Sequence, residues 1–129
     1  MRIKYYEAED VKKLLRDIVK TLGLRYIDLN RIHCVRSKGS CTYAFARIHG
    51  LPRIWQYALK TGPHYIIEVI SETFDELTEE EKIRVLIHEI LHIPRSFSGG
   101  LRPHKRYVEE DIVEELYRKY LKIKANIRD

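Results

Sequence analysis

Cysteine is scarce in this sequence, and long apolar runs are absent. Cys34 and Cys41 are the only cysteines among 129 residues, too few for the disulfide framework of a small secreted domain. No segment reaches the roughly 20 apolar residues of a membrane span. The N-terminal segment MRIKYYEAEDVKK also lacks the apolar core of a signal peptide. We therefore expect a cytoplasmic protein without a membrane partner.

Low-complexity segments and long runs of one charge sign are also missing. Apolar residues make up 44% of the chain and charged residues 33%, which is typical of a folded globular protein. A chain of this length fits one ordinary domain, so residues 1–129 are predicted to form a single unit. The 24 Lys and Arg exceed the 19 Asp and Glu, giving a net charge of +5. Such an excess favours non-specific contacts with nucleic acid, but usually it forms a solvated basic surface.

The spacing of apolar residues predicts an α+β fold. Helical periodicity predicts a first helix from Glu9 to Leu22, capped by Gly23. The segments RIHCVRS and CTYAFARI are rich in β-branched and aromatic residues and predict two strands joined as a hairpin through Lys38-Gly39. HYIIEVI predicts a third strand, whereas GLPRIWQYAL is ambiguous between a short helix and a loop. The last helix is predicted from about Tyr107 to Ile123, and the helices are expected to cover one face of the sheet.

The strongest chemical signal is the segment His88-Glu89-Ile90-Leu91-His92, which matches the pattern H-E-x-x-H. A helical turn places imidazoles at i and i+4 on one face, where both can bind one zinc ion. The helix is predicted to begin at a capping box formed by Thr78 and Glu81 and to end at Pro94. Glu89 then lies beside the metal as a general base that activates water.

A catalytic zinc needs a third protein ligand and an open position for water. His104 is a candidate because the loop between Pro94 and Pro103 can bring it back toward the helix. The alternative is a carboxylate of the last helix, where five acids are available: Glu109, Glu110, Asp111, Glu114 and Glu115. The longer metzincin pattern is excluded, because Arg95 and Ser98 stand where it requires glycine and histidine.

The longer pattern HEILHIP followed by SGGLRPH, with the upstream segment ARIHGLPRIWQYAL, resembles the family of phage and archaeal metallopeptidases. The resemblance extends from about Val35 to Ile112 and implies a small zincin-like domain, similar to SprT-like proteins. Such a domain has a short, mainly antiparallel sheet packed with the active-site helix and flanking N- and C-terminal helices. The resemblance also implies Zn2+ held by His88, His92 and His104, with Glu89 as the catalytic acid and base.

Substrate contacts are less defined by the sequence. The strand near Tyr65 to Ile70 is expected to be an edge strand that receives an extended peptide by strand addition. Oxyanion or substrate contacts are expected from Tyr107 or Arg102, or from His104 if it is not a ligand. The expected function is a zinc metalloendopeptidase acting on protein or peptide. The alternative is a non-catalytic, zinc-stabilised module that contacts nucleic acid or a protein partner through its basic surface.

The remaining histidines, cysteines and aromatic residues suggest structural roles. His33, His49 and His64 show no metal-ligand spacing and are predicted to be structural or exposed. Cys34 and Cys41 suggest two buried thiols of a hairpin rather than a second zinc site. Trp55 and the tyrosines are predicted to pack in the core or on amphipathic faces, not to form a base-stacking platform.

Overall fold

A computed structural model of the chain describes residues 2–104 and 109–128 and shows a four-stranded sheet. The strands are β1 (Lys4–Glu7), β2 (Ile32–Lys38), β3 (Ala46–Gly50) and β4 (Tyr65–Ile70), in the spatial order β1-β2-β4-β3. β1 and β3 run antiparallel to their neighbours, whereas β2 and β4 are parallel. The predicted α+β class and the mainly antiparallel sheet are confirmed.

The predicted hairpin between β2 and β3 is wrong. The two strands do not pair with each other, because β4 lies between them and pairs with both. The register shows this directly, since Ile67 is the partner of Cys34 on one side and of Ile48 on the other. β4 is the most buried strand, and it lies inside the sheet with a paired strand on each edge. β1 was not predicted, because its four residues are all exposed and carry no apolar alternation.

Five helices and one 3-10 turn complete the described fold. They are α1 (Glu9–Leu22), the 3-10 turn Leu29–Arg31, α2 (Arg53–Leu59), α3 (Ser71–Phe74), α4 (Glu79–Ile90) and α5 (Glu110–Arg128). The predicted first helix and its cap are confirmed, with Gly23 in the left-handed region at φ 66°. The ambiguous segment forms α2. The last helix spans Glu110–Arg128, and its predicted start near Tyr107 lies outside the described residues. None of the described helices is both long and apolar enough to cross a membrane.

The core lies between one face of the sheet and the three long helices. Alternate residues of β2 and β4, namely Ile32, Cys34, Tyr65, Ile67 and Val69, are buried in one cluster with apolar residues of α1, α4 and α5. The opposite face exposes polar residues such as His33, together with the partly exposed Ile66. The expectation that the helices cover one face is confirmed for α1, α4 and α5. This packing fixes α4, which carries the H-E-x-x-H pattern, against the sheet.

α4 begins as predicted and ends earlier than predicted. The Thr78 hydroxyl accepts a hydrogen bond from the Glu81 N–H, and the Glu81 carboxylate accepts one from the Thr78 N–H. Together they form the capping box. The last α-helical residue is Ile90, and His92 donates its N–H to the Glu89 carbonyl in a tighter turn. Pro94 disfavours helical backbone at the residue before it, which explains the early end. His92 therefore lies just beyond α4.

The guanidinium of Arg36 joins β2 to the first turn of α1 and to the segment after α3. It donates to Asp10 at 3.0 and 3.1 Å and to Asp75 at 2.9 to 3.3 Å. The hydrogen bonds from Arg36 lower the pKa of Asp10 below its usual 3.8. A carboxyl with a lowered folded-state pKa contributes stability above its unfolded pKa and loses it as the pH falls through the folded value.

We expect the Asp10→Asn variant to lose less stability than the wild type when the pH falls from 6 to 3. Asparagine cannot ionise, so the part of the acid sensitivity that belongs to Asp10 disappears. The effect is modest because the Asp10 side chain is 65% exposed. The measurement is Tm against pH for both proteins, repeated in an Arg36→Met background. An equal benefit of Asp10→Asn in that background would contradict the role given to Arg36.

Candidate metal centre

Three imidazoles converge at the end of α4. His88 lies in the last turn of that helix, His92 follows its end, and His104 lies beyond the loop that begins at Pro94. One ring nitrogen from each of the three lies within 4.8 Å of the other two. The Nε2 atoms of His88 and His104 are 3.0 Å apart, and the ring centroids of His92 and His104 are 4.4 Å apart. Three imidazole nitrogens are one of the donor sets of catalytic zinc.

The backbone of Arg102 fixes the orientation of His92. The Nδ1 atom of His92 lies 2.7 Å from the Arg102 carbonyl oxygen. A carbonyl only accepts hydrogen bonds, so Nδ1 carries the proton and Nε2 keeps a free lone pair. The Arg102 N–H in turn donates to the His92 carbonyl at 2.6 Å. A carbonyl that orients a ligating histidine in this way is a common feature of metal sites, and the donor set fits a zinc ion.

The protonation states of the histidines also suit a cation. Burial and repulsion from His92 and His104 lower the pKa of His88 to about 4. Burial likewise lowers the pKa of His92, and His104 adds to the shift. Both rings are therefore neutral at pH 7, which is the form that binds a metal ion.

Glu89 is a buried carboxylate beside this group. Glu89 is 7% exposed, and its Oε2 atom lies 4.0 Å from the Nε2 atom of His88. Burial raises the pKa of Glu89 to about 7. A cation at the histidines would oppose this shift, because nearby positive charge favours the ionised form. A carboxyl with a pKa near neutrality can both accept and donate a proton.

A pocket of about 540 Å³ opens beside His88 and Glu89. Its apolar walls are Phe45 and Ala46 at the start of β3, Val85 of α4 and Val113 of α5. An ion pair closes one side, where Arg84 donates to Glu114 at 2.9 Å. Volumes of this size are typical of pockets that enclose a small ligand or a side chain. The pocket therefore reaches the group of histidines at His88.

The loop that carries His104 is fastened to the sheet by Tyr65. The hydroxyl of this fully buried residue donates to the Gly100 carbonyl and accepts from the Gly99 N–H, each at 2.8 Å. A Cβ added to Gly50 at the end of β3 would lie 2.0 Å from the Gly99 carbonyl oxygen. One added to Gly99 would lie 2.5 Å from the Leu51 carbonyl oxygen, so neither position has room for a side chain. These contacts were not predicted, although the pair Gly99-Gly100 in a short loop is a sign of close backbone approach.

We expect the Tyr65→Phe variant to bind zinc about tenfold more weakly than the wild type. The substitution removes the hydroxyl that holds the loop, so the Gly99 N–H and the Gly100 carbonyl both lose that hydrogen-bond partner. His104 is then held less firmly. The measurement is zinc affinity by competition with a chromogenic chelator. Tyr43→Phe is the matched control because Tyr43 is 95% exposed, and an equal loss of affinity in both variants would contradict this role.

The other candidates for the site differ in their placement. None of the five carboxylates Glu109, Glu110, Asp111, Glu114 and Glu115 joins the three histidines among the described residues. Glu110 and Glu114 line the pocket, and Glu114 pairs with Arg84. Arg102 reaches the site through its backbone, whereas the oxyanion role of its side chain stays a prediction. Tyr107 lies outside the described residues, so its expected substrate contact also stays a prediction.

Three further predictions are corrected by the structure. β4 (Tyr65–Ile70) is not an edge strand, because β2 and β3 occupy both of its sides; β3 is the edge nearest the histidines. Cys34 is buried and Cys41 exposed, and both are free, so they are not two buried thiols of a hairpin. Trp55, Tyr57 and Tyr43 are exposed, whereas Tyr65, Tyr117 and Tyr120 are in the core as expected.

The remaining histidines lie elsewhere. His33 and His64 stack with their ring centroids 5.1 Å apart, and His49 binds the buried Glu68 at 2.9 Å. Within residues 2–104 and 109–128, no other group of three potential ligands converges. The prediction that these three histidines are structural or exposed agrees with this placement.

Comparison with known proteins agrees with the site. No match was found among curated proteins or among solved structures. One family matches residues 3–125, nearly the whole chain, and its description reads "Putative phage metallopeptidase". The segment includes the three histidines, Glu89 and the loop that joins them. The chain therefore belongs to this phage metallopeptidase family.

Proposed function

We propose that the chain is a zinc-dependent endopeptidase that hydrolyses peptide bonds with Glu89 as the general base. The observation that carries the proposal is the convergence of His88, His92 and His104 beside a buried carboxylate. Family membership supports a metal-dependent peptidase. The choice of zinc rests on the donor set, because three imidazoles and an open position are typical of catalytic zinc.

The three histidines would hold the metal, and Glu89 would move the proton. Bound zinc supplies a Lewis acid that polarises a carbonyl and makes water more acidic. Glu89 accepts a proton from the attacking water and then donates it to the amine nitrogen as the C–N bond breaks. The position of Glu89 supports this exchange, since its buried carboxylate lies 4.0 Å from the Nε2 atom of His88. Arg102 and Tyr107 remain the proposed donors to the oxyanion.

β3 is the proposed docking edge for an extended substrate. It is the outer strand on this side of the sheet, and its first residue, Ala46, lines the pocket with His88 and Glu89. A peptide that pairs with a free strand edge gains backbone hydrogen bonds without a fixed side-chain sequence. The substrate would therefore lie along β3, in place of the strand near Tyr65 to Ile70.

Cleavage of an unfolded protein before and after metal removal tests the proposal. We expect zinc-loaded protein to cut the substrate, a chelator to stop cleavage, and added zinc to restore it. A zinc-stabilised binding module would hold the metal and leave the substrate intact. Cleavage that continues after elemental analysis shows the metal to be gone would contradict the proposal.

A further inference from the structure

Five of the seven residues of helix α2 are apolar. Its four large apolar residues, Ile54, Trp55, Tyr57 and Leu59, are 76%, 56%, 86% and 59% exposed. The helix contains no buried residue. The large apolar face of a helix is normally covered by other parts of a protein, and clustered exposed apolar side chains commonly mark a binding surface. We call these four residues the α2 platform.

Helix α2 is hydrogen-bonded to the loop of the metal centre through Gln56. Gln56 is the partly buried residue of the helix, and its Nε2 donates to the Leu51 carbonyl at 2.8 Å and to the Ser98 carbonyl at 3.0 Å. Ser98 precedes Gly99, which Tyr65 holds. The helix is therefore fixed in relation to His104 and to the sheet, and a ligand on it has a defined position relative to the histidines.

The α2 platform also continues the proposed docking edge. β3 starts at the pocket, where Phe45 and Ala46 lie beside His88. It ends at Gly50, and α2 begins three residues later at Arg53. A strand of five residues spans about 14 Å from first to last residue at about 3.4 Å per step. An extended chain that lies along β3 would thus reach α2 roughly four residues from the pocket.

The surroundings of the platform favour an acidic partner. No Asp or Glu occurs between Asp28 and Glu68 in the sequence. Arg53 and Lys60, at the two ends of the helix, are both exposed. Nucleic acid is also acidic, but single-strand sites combine aromatic side chains with a basic groove along the backbone. Ile54 and Leu59 are aliphatic, which suits the apolar side chains of a polypeptide better than bases.

We infer that the α2 platform binds an extended, apolar and acidic segment of the polypeptide substrate, outside the residues around the cleaved bond. The inference rests on the proposed function, because it assigns this segment to a peptidase substrate. It names the substrate class as unfolded chains that expose large apolar residues near acidic ones. Such a second contact would raise the affinity for long substrates.

The fluorescence of Trp55, the only tryptophan, tests the inference without turnover. The full-length Glu89→Gln variant, loaded with zinc, is titrated with a 20-residue peptide rich in Leu, Phe and Glu. We expect a blue shift of Trp55 emission and protection from iodide quenching as the ring becomes covered. The double variant Ile54→Ser/Tyr57→Ser should bind at least about tenfold more weakly. Ile127→Ser, which changes an apolar residue that is 70% exposed on α5, should bind like the parent.

Control ligands distinguish a polypeptide segment from other occupants of the α2 platform. A peptide with Lys in place of Glu should bind more weakly, and equal binding would overturn the charge argument. A blue shift caused by a 20-nucleotide oligothymidine and not by the peptide would overturn the inference in favour of nucleic acid. A shift that follows protein concentration alone would assign the surface to a second copy and also overturn it. Binding is measured in Glu89→Gln, in which cleavage is expected to be strongly slowed. A failure of the proposed catalysis would therefore be a separate result.

Discussion

The Glu89→Gln variant should keep its zinc and cleave peptides about 10²–10⁴-fold more slowly than the wild type. Glutamine has nearly the same shape as glutamate but cannot accept a proton from water. Glu89 is not one of the three converging ligands, so metal binding should survive. The measurement is kcat/KM on a quenched fluorescent peptide, with zinc content determined on the same samples.

The Glu114→Gln variant is the matched control for this test. Glu114 also lines the pocket, but it pairs with Arg84 and does not belong to the group of histidines. We expect a change of no more than a few fold, because this is a partly exposed ion pair. If Glu89→Gln cleaved as well as Glu114→Gln, the role of Glu89 as general base would be wrong.

The Gly99→Ala variant should bind zinc about 10–100-fold more weakly and lose about 1–3 kcal/mol of stability. Gly99 has φ of +103°, a conformation that favours glycine, and an added Cβ would lie 2.5 Å from the Leu51 carbonyl oxygen. The loop must therefore shift away from β3. That shift would also break the contacts with Tyr65 and Gln56 that hold the loop leading to His104. Zinc affinity and Tm, each measured on purified protein, report the two effects.

The neighbouring glycine provides a close control. A Cβ added to Gly100 would meet no atom within 4 Å, so Gly100→Ala should change zinc affinity and Tm very little. The two variants differ by one position and carry the same substitution. Equal losses in both would show that the loop does not need the close approach of Gly99 to β3.

The local features of the fold were predictable because their causes are local. The capping box of Thr78 and Glu81 sets the start of α4, and Gly23 caps α1, within a few residues of chain. The pattern around Glu89 likewise depends only on helical spacing. His104 is different, because residues 94–103 could lead the chain in several directions. Only the longer resemblance tied it to the other two histidines before the structure showed them together.

The order of the strands could not be read from local pattern. β2 and β3 are neighbours in sequence, and a turn at Lys38-Gly39 suggested a hairpin. Pairing instead depends on burial of β4, which requires a strand on each side and contacts between distant segments. The same error led to the wrong prediction that β4 is an edge strand, whereas β3 is at the edge. An edge strand has no pairing strand on its outer side. The sequence of one strand does not show which strands will lie beside it.

The exposure of α2 was also not predicted from the sequence pattern. Ile54, Trp55, Tyr57 and Leu59 look like residues of a core, and apolar residues are buried in most helices. The helix has only seven residues, five of them apolar, so its sequence does not define a narrow apolar stripe that would pack against the protein. Burial cannot be predicted from pattern in an apolar segment without helical or strand periodicity. In this chain that segment contains the α2 platform.

The most direct test of the account is the zinc content of protein purified without a histidine tag. We predict about one zinc ion per chain in the wild type and in His49→Ala, whose imidazole binds Glu68 outside the metal centre. His88→Ala, His92→Ala and His104→Ala should each lose the metal, because each removes one of three ligands. A wild-type protein that takes up no zinc, or a His104→Ala variant that keeps a full equivalent, would contradict the three-histidine centre.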